Sequence, residues 1–434
     1  MILKRLQLGL IHVAVAMTLV PINSTLNRVM IKELALSATL VAVLASLPYL
    51  FSPIQMAIGS YSDRHPLLGY RRTPYILAGL VLCALGMAIS PWVAFLLGQN
   101  LPLGLLAGLL AFGAWGMGYN LSSVCYLSLA SELSGEKGRG WTIAVMWFMM
   151  IVSIIVTAAS LSRMLDPYTP QAMVDAFRAI ALAALALGLL GLAGLEPRSR
   201  AGQSEAPAET HSLRQMAAAI TRNRVARTFF IYLLLLLAAI LGQDVLLEPF
   251  GAEAFGMSVT QTTRITSIWG SFVLLSIVLA AGLEKRIPKR LVAQAGNLVA
   301  LAGFFGILLS GLLHSAAVFY TGVTLLGLGT GIATVSNLSL MFDLTVPGEV
   351  GLYIGAWGVS NALSRLAGSV LGGAVRDAVT QVTGTPLSGY LVVFGIEALM
   401  LLAAVLMLAR IDVSAFRRQA AAPSVLERAA LAAE

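Results

Sequence analysis

Four charged side chains fall inside apolar stretches of this chain. Asp244 and Glu248 stand four residues apart, on one face if the segment is helical. Arg365 and Glu397 lie within two later apolar runs, and Arg28 ends the first run at the depth of Glu248 in a counterpart run. A charge left unpaired in an apolar medium costs several kcal/mol, so each of these groups needs a partner. The placement predicts that Arg365 pairs with Glu397 or Asp244. It also predicts that Arg28 pairs with Asp244 or Glu248, as a gate or as a fixed bridge. No phosphate-binding glycine loop, metal-ligand cluster or nucleophile constellation is present, so an enzyme is not expected.

The elements that must position these charges are membrane helices. The chain is 58% hydrophobic and 11% charged, with a mean hydropathy of +0.86. A soluble protein carries about 25% charged residues, so lipid must be the solvent here. A spanning helix needs roughly 20 apolar residues. Runs of that kind predict twelve spans, near 7–28, 36–58, 74–96, 102–127, 141–161, 177–195, 228–249, 263–282, 291–313, 317–341, 352–375 and 389–410. The runs are continuous rather than alternating, which excludes a porin-like barrel.

The net charge of +8 reports topology, not nucleic acid. With the N-terminus inside, 21 of the 28 basic residues fall on inside segments. This excess sets both termini in the cytoplasm and the basic loops against anionic lipid. Lys4 and Arg5 precede an apolar run with no small-residue cleavage site, so an uncleaved first helix is expected. Cys83 and Cys125 both lie within predicted spans, where buried thiols rather than a disulfide are expected.

Two halves echo each other. Gly135-Glu136-Lys137-Gly138 is answered by Gly348-Glu349-Val350-Gly351, 213 positions later, and Gly116 and Gly118 by Gly329 and Gly331 at the same offset. The predicted organisation is a six-helix half over 1–195, a cytoplasmic linker over 196–227, a second six-helix half over 228–410 and a cytoplasmic tail over 411–434. Within the linker, a short amphipathic surface helix is expected from Leu213 to Val225. The fold class is therefore an all-α membrane protein of twelve transmembrane helices in two pseudo-symmetric halves. Glycines of the fourth and tenth spans are expected to let helix backbones approach closely.

The loop after the second span reads Gly59-Ser60-Tyr61-Ser62-Asp63-Arg64, then Gly69-Tyr70-Arg71-Arg72. It resembles the signature loop of the major facilitator superfamily, with extra residues between Arg64 and Gly69. The resemblance implies that Asp63 meets the start of the eleventh helix and holds the cytoplasmic side closed. Arg71 and Arg72 would anchor to lipid phosphates. The plain alternative is a solvated basic turn. Residues 141–161 contain no Gly or Pro, unlike that superfamily's antiporter signature, and the fourth span carries no charge. Spans one to six hold no carboxylate well inside the membrane, which argues against ordinary proton-coupled transport.

Three strings narrow the resemblance. They are Ser24-Thr25-Leu26-Asn27-Arg28-Val29-Met30, the run from Leu47-Pro48-Tyr49 to Arg71-Arg72-Thr73-Pro74-Tyr75, and Gln243-Asp244-Val245-Leu246-Leu247-Glu248-Pro249-Phe250-Gly251. Together they resemble the PucC-type proteins, the bacteriochlorophyll delivery family. Membership implies a non-enzymatic factor in a bacterial inner or intracytoplasmic photosynthetic membrane that helps assemble light-harvesting antenna complexes. The partners it implies are membrane lipids, antenna polypeptides and pigment-synthesis enzymes, with bacteriochlorophyll as a transient ligand. The pigment's magnesium takes one axial donor, for which His12, Gln243 and Asn120 are candidates; ordinary packing is the alternative for each. The rival function is an alternating-access transporter of a small molecule, since fold alone does not decide transport.

Overall fold

The computed structural model describes residues 2–198, 224–344 and 350–411. The expected amphipathic linker helix, the Gly348-Glu349 turn and the tail from 412 onward lie outside the described residues. Lipid offers no hydrogen bonds, so a spanning chain must satisfy its backbone within each segment, and this chain does so with helices. Among the described residues, ten helices are long and apolar enough to cross a membrane: Ile2–Glu33, Thr73–Gln99, Leu101–Gly135, Gly138–Met164, Pro170–Leu192, Arg224–Val245, Val259–Leu283, Lys289–Leu313, Ala316–Met341 and Pro386–Leu408. The second span, 38–64, is broken into short helices, and the eleventh is Val350–Thr383. These two complete the twelve.

Three spans are interrupted, each where the sequence weakens the helical ladder. Pro48 and Pro53 remove backbone donors from the second, which passes from Ala38–Ala45 through Leu47–Leu50 and a 3₁₀ turn at Ser52–Ile54 to Gln55–Arg64. The first widens into π-type turns at Ile22–Leu26 and Val29–Glu33, just past Pro21. The seventh narrows to a 3₁₀ turn at Gln243–Val245 before Leu247–Phe255, which carries Pro249. The first and seventh are counterparts across the two halves, so the halves share this irregularity. Gly135 (φ 61°) makes the turn between the fourth and fifth spans, a backbone conformation that favours glycine.

Within each half the spans pack closely. A Cβ on Gly118 would stand 2.5 Å from the Gly79 carbonyl, and one on Gly329 would stand 2.3 Å from Ala300 N. The third–fourth and ninth–tenth pairs thus pack backbone to backbone, as the echoed glycines predicted. The halves meet where the second span lies on the eleventh, the fifth on the eighth, and the broken parts of the first and seventh on each other. An even number of spans puts residues 2 and 411 at one end of the bundle. It is called the terminal end below, and the opposite one the far end.

Candidate functional site

The break in the seventh span presents Asp244 to the eleventh. Asp244 Oδ2 lies 3.2 Å from Arg365 Nη2. Arg365 Nη1 donates to Tyr49 Oη at 2.9 Å, across the boundary between halves. Its guanidinium carbon sits 5.2 Å from the Tyr49 ring centre, where ring quadrupole and cation attract. Tyr49 is available because the second span is unwound around Pro48. Asn23, Ala45, Ser46, Val245 and Ser369 complete the lining of a small cavity here. Of the two acids offered to Arg365 by the sequence, Asp244 is the partner. Glu397 is not: it is buried, and neither carboxylate oxygen has a hydrogen-bond partner.

The expected pairing of Arg28 is corrected. Arg28 bonds Glu33, and its Nη2 donates to the Met257 carbonyl at 3.1 Å. The reason is the π-type turn, which brings a residue five positions on, rather than four, over the arginine. Glu248 instead accepts from Thr266 Oγ1 at 2.7 Å, with its Oε2 unpartnered.

At the far end, bonds tie half to half. Lys32 Nζ lies 2.5 Å from Glu253 Oε2. Thr25 and Thr263 hydroxyls meet at 2.9 Å. Ser162 Oγ donates to the Thr260 carbonyl and Thr260 Oγ1 to the Leu165 carbonyl, each at 2.8 Å. Asp377, at the end of the eleventh span, accepts from Ala38 N (3.1 Å), Thr39 N (2.8 Å) and Thr39 Oγ1 (2.7 Å). Among the described residues, the bonds that join the halves lie toward this end, with Arg365–Tyr49 the deepest.

At the terminal end charges pair within each half: Lys289 Nζ lies 2.9 Å from Asp343 Oδ2 in the second, and a larger network forms in the first. Arg72 Nη2 lies 2.5 Å from Asp63 and 2.9 Å from Glu132, while Nη1 donates to Ser62 Oγ at 2.6 Å. Arg71 approaches Glu132 at 3.6 Å. Arg64 turns back to Ser60. Glu196 accepts from the amides of Arg71, Arg72 and Thr73 and from Thr73 Oγ1, closing the N-terminus of the third span. Arg72 is thus held by protein acids; its expected role as a phosphate anchor is replaced by this network. The side chains at the start of the eleventh span lie outside the described residues, and with them the expected Asp63 docking.

His12 is 7% exposed, with Nδ1 unpartnered. Its ring lies 5.2 Å from Tyr126 and 6.1 Å from Trp147. Asn120 is engaged at both ends: its amide nitrogen donates to the Pro48 and Gly116 carbonyls, both at 2.8 Å, and its oxygen accepts from Gln55 at 2.5 Å. Gln243 donates to Asp244 at 3.0 Å and keeps a free amide oxygen. Sequence reasoning missed Tyr49, Glu33, Glu132, Glu196, Glu253 and Asp377. Each lies at a helix end, in a broken helix or in a loop, where apolar periodicity carries no information about partners.

Solved structures show the same fold. The chain superposes on the nucleoside transporter NupG with a TM-score of 0.68 at 15% identity, covering 93% of this chain and 98% of that one. It superposes on a D-xylose-proton symporter with a TM-score of 0.70 at 15% identity, covering 94% and 97%. Both support the major facilitator architecture and, at that identity, the fold alone. Sequence relatives are nearer. Protein PucC of Rhodobacter capsulatus is 31% identical over 93% of this chain and 90% of that protein. Protein PucC of Cereibacter sphaeroides is 32% identical over 91% and 89%. A bacteriochlorophyll synthase 44.5 kDa chain of Rhodobacter capsulatus is 28% identical over 98% of both. The family described as PUCC protein matches residues 25–416, so this chain, a multi-span membrane protein of the major facilitator fold, belongs to the PucC family.

Proposed function

We propose that this chain is a non-enzymatic assembly factor for bacterial light-harvesting antenna complexes, handling or delivering bacteriochlorophyll to antenna polypeptides. The observation that carries this reading is the match to the PUCC family along nearly the whole chain, with full-length relatives named PucC. In it the chain sits in the inner or intracytoplasmic photosynthetic membrane with both termini cytoplasmic. Its lipid-facing sides meet antenna polypeptides and pigment-synthesis enzymes.

Of the three candidate donors for the pigment's magnesium, His12 fits best, having a buried ring nitrogen without a partner. Asn120 fits less well, since its oxygen already accepts from Gln55 and its nitrogen holds the Pro48 and Gly116 carbonyls. Gln243 also keeps an unpartnered oxygen, but its amide is tied to Asp244, the partner of Arg365. When bound, the pigment supplies the light-absorbing macrocycle. His12 would hold its metal, and Tyr126 and Trp147 would flank the ring of His12.

The test is the near-infrared absorption of membranes from a strain lacking this chain, beside its parent. Selective loss of one antenna band, with pigment synthesis intact, is the expected result. An unchanged spectrum removes the assembly role. A second reading, alternating-access transport of a small molecule, draws on the interrupted first and seventh spans and on the bonds gathered at the far end. Substrate flux abolished by Arg365→Leu would favour it.

A further inference from the structure

Glu397 lies midway along Pro386–Leu408, 4% exposed, with both carboxylate oxygens unpartnered. It occupies a junction of three helices. A Cβ added to Gly242 of the seventh span would stand 2.9 Å from Glu397 Oε1 and 3.1 Å from the Gly368 backbone of the eleventh. The groups facing this junction are few. The seventh span brings Asp244, two residues past Gly242, then Glu248, which Thr266 holds, and Glu253, which Lys32 holds. The eleventh brings Arg365, about one turn before Gly368, already shared by Asp244 and Tyr49. The ninth span also packs on the twelfth, and it has no titratable residue between Asn297 and Ser310. A bare carboxylate in such a place costs several kcal/mol unless a cation neutralises it.

We propose that Glu397 is a proton-binding site at the junction of the seventh, eleventh and twelfth spans, and that its occupancy sets how Arg365 is shared. With the proton bound, Arg365 belongs to Asp244 and Tyr49, and its bond to Tyr49 ties the two halves at mid-depth. With the proton gone, Glu397 is a second anion near Asp244 that competes for the same guanidinium. Tyr49 is the neutral partner and gives way first, so the tie between halves loosens. The site adds a proton-responsive carboxylate inside the membrane, where spans one to six hold none, and it does not depend on the pigment role proposed above.

The test uses the full chain in detergent and a hydrophobic carbodiimide. A protonated carboxyl adds its O–H across the reagent's C=N bond and the adduct rearranges to a stable N-acylurea, with nothing else consumed. Label at Glu397, located by peptide mass spectrometry, is expected at acid pH. Once the site titrates, it should fall about tenfold per pH unit. Glu397→Gln should lose the label completely. Label independent of pH overturns the proposal. Protection by sodium at fixed pH and ionic strength makes this a sodium site and overturns the proton assignment. If the reagent does not reach the junction, thermal unfolding decides. The native chain should lose stability relative to Glu397→Gln as pH rises, because only the native chain must ionise a buried acid. Melting midpoints that stay parallel across pH overturn the proposal.

Discussion

Replacing Asp377 with alanine should unfasten the far end. Ala38 and Thr39 open the second span, and their amides are donors that an isolated helix leaves unpaired. Asp377 supplies acceptors at 3.1 and 2.8 Å to those amides and at 2.7 Å to the Thr39 hydroxyl, all from the other half. It also places negative charge at the positive end of the helix dipole. Close approach makes this possible: a Cβ on Gly373 would stand 2.8 Å from the Ala38 carbonyl. A side-chain cap contributes about 0.5–2 kcal/mol, and a hydrogen bond to a charged group about 1.5–3. The three bonds share one carboxylate, and the amides regain water when the halves part. The net preference for the closed far end is therefore about 2 kcal/mol, or roughly thirtyfold in the equilibrium. The Asp377 side chain is 14% exposed, so salt should reduce this little.

The assay is maleimide labelling of Ser46→Cys from the far face. Ser46 lines the central cavity, and Cys83 and Cys125 would be replaced by alanine. Asp377→Ala should speed labelling by about thirtyfold where the closed state dominates. Ser37→Ala is the control. Its hydroxyl accepts from Leu40 N at 3.1 Å within the same helix, so it removes a cap worth about 1 kcal/mol without touching the other half. Unchanged labelling in Asp377→Ala, or equal acceleration by Ser37→Ala, would refute the latch.

Five further variants have expected outcomes. Arg365→Leu should lower stability in detergent by about 3 kcal/mol, the low end for cutting a buried pair, because Arg365 and Asp244 keep 24% and 21% side-chain exposure. Tyr49→Phe keeps the ring beside the guanidinium and should cost only about 1 kcal/mol; thermal unfolding of both variants checks the order. Glu196→Gln should lower the melting midpoint by the equivalent of about 1–2 kcal/mol, since the carboxylate accepts from the amides of Arg71, Arg72 and Thr73 where the third span begins. Lys32→Ala breaks a partly exposed pair and should cost less than about 1 kcal/mol, vanishing in high salt. Gly118→Val should destabilise by about 1–3 kcal/mol through overpacking against Gly79, read as a lowered melting midpoint.

The sequence by itself determined the spans, their pairing into halves and the family resemblance. Lipid leaves a chain one way to satisfy its backbone with continuous apolar runs, so length and composition suffice to find the helices. The glycine echo survived as backbone-to-backbone packing because only the missing side chain permits that approach. Partner choice was not legible. Arg365 had two acids within sequence reach, and the 3₁₀ turn at Gln243–Val245 decided for Asp244. Arg28 was expected to reach Asp244 or Glu248, and the π-type turn gave it Glu33. Glu196 read as linker, and Asp377 fell past the end of an apolar run, yet each caps a helix N-terminus remote in sequence. Periodicity fixes which residues share a helix face, but which groups meet depends on helix rotation, local unwinding and the docking of one half on the other. Those are settled by packing over the whole molecule, and only the tertiary structure holds them.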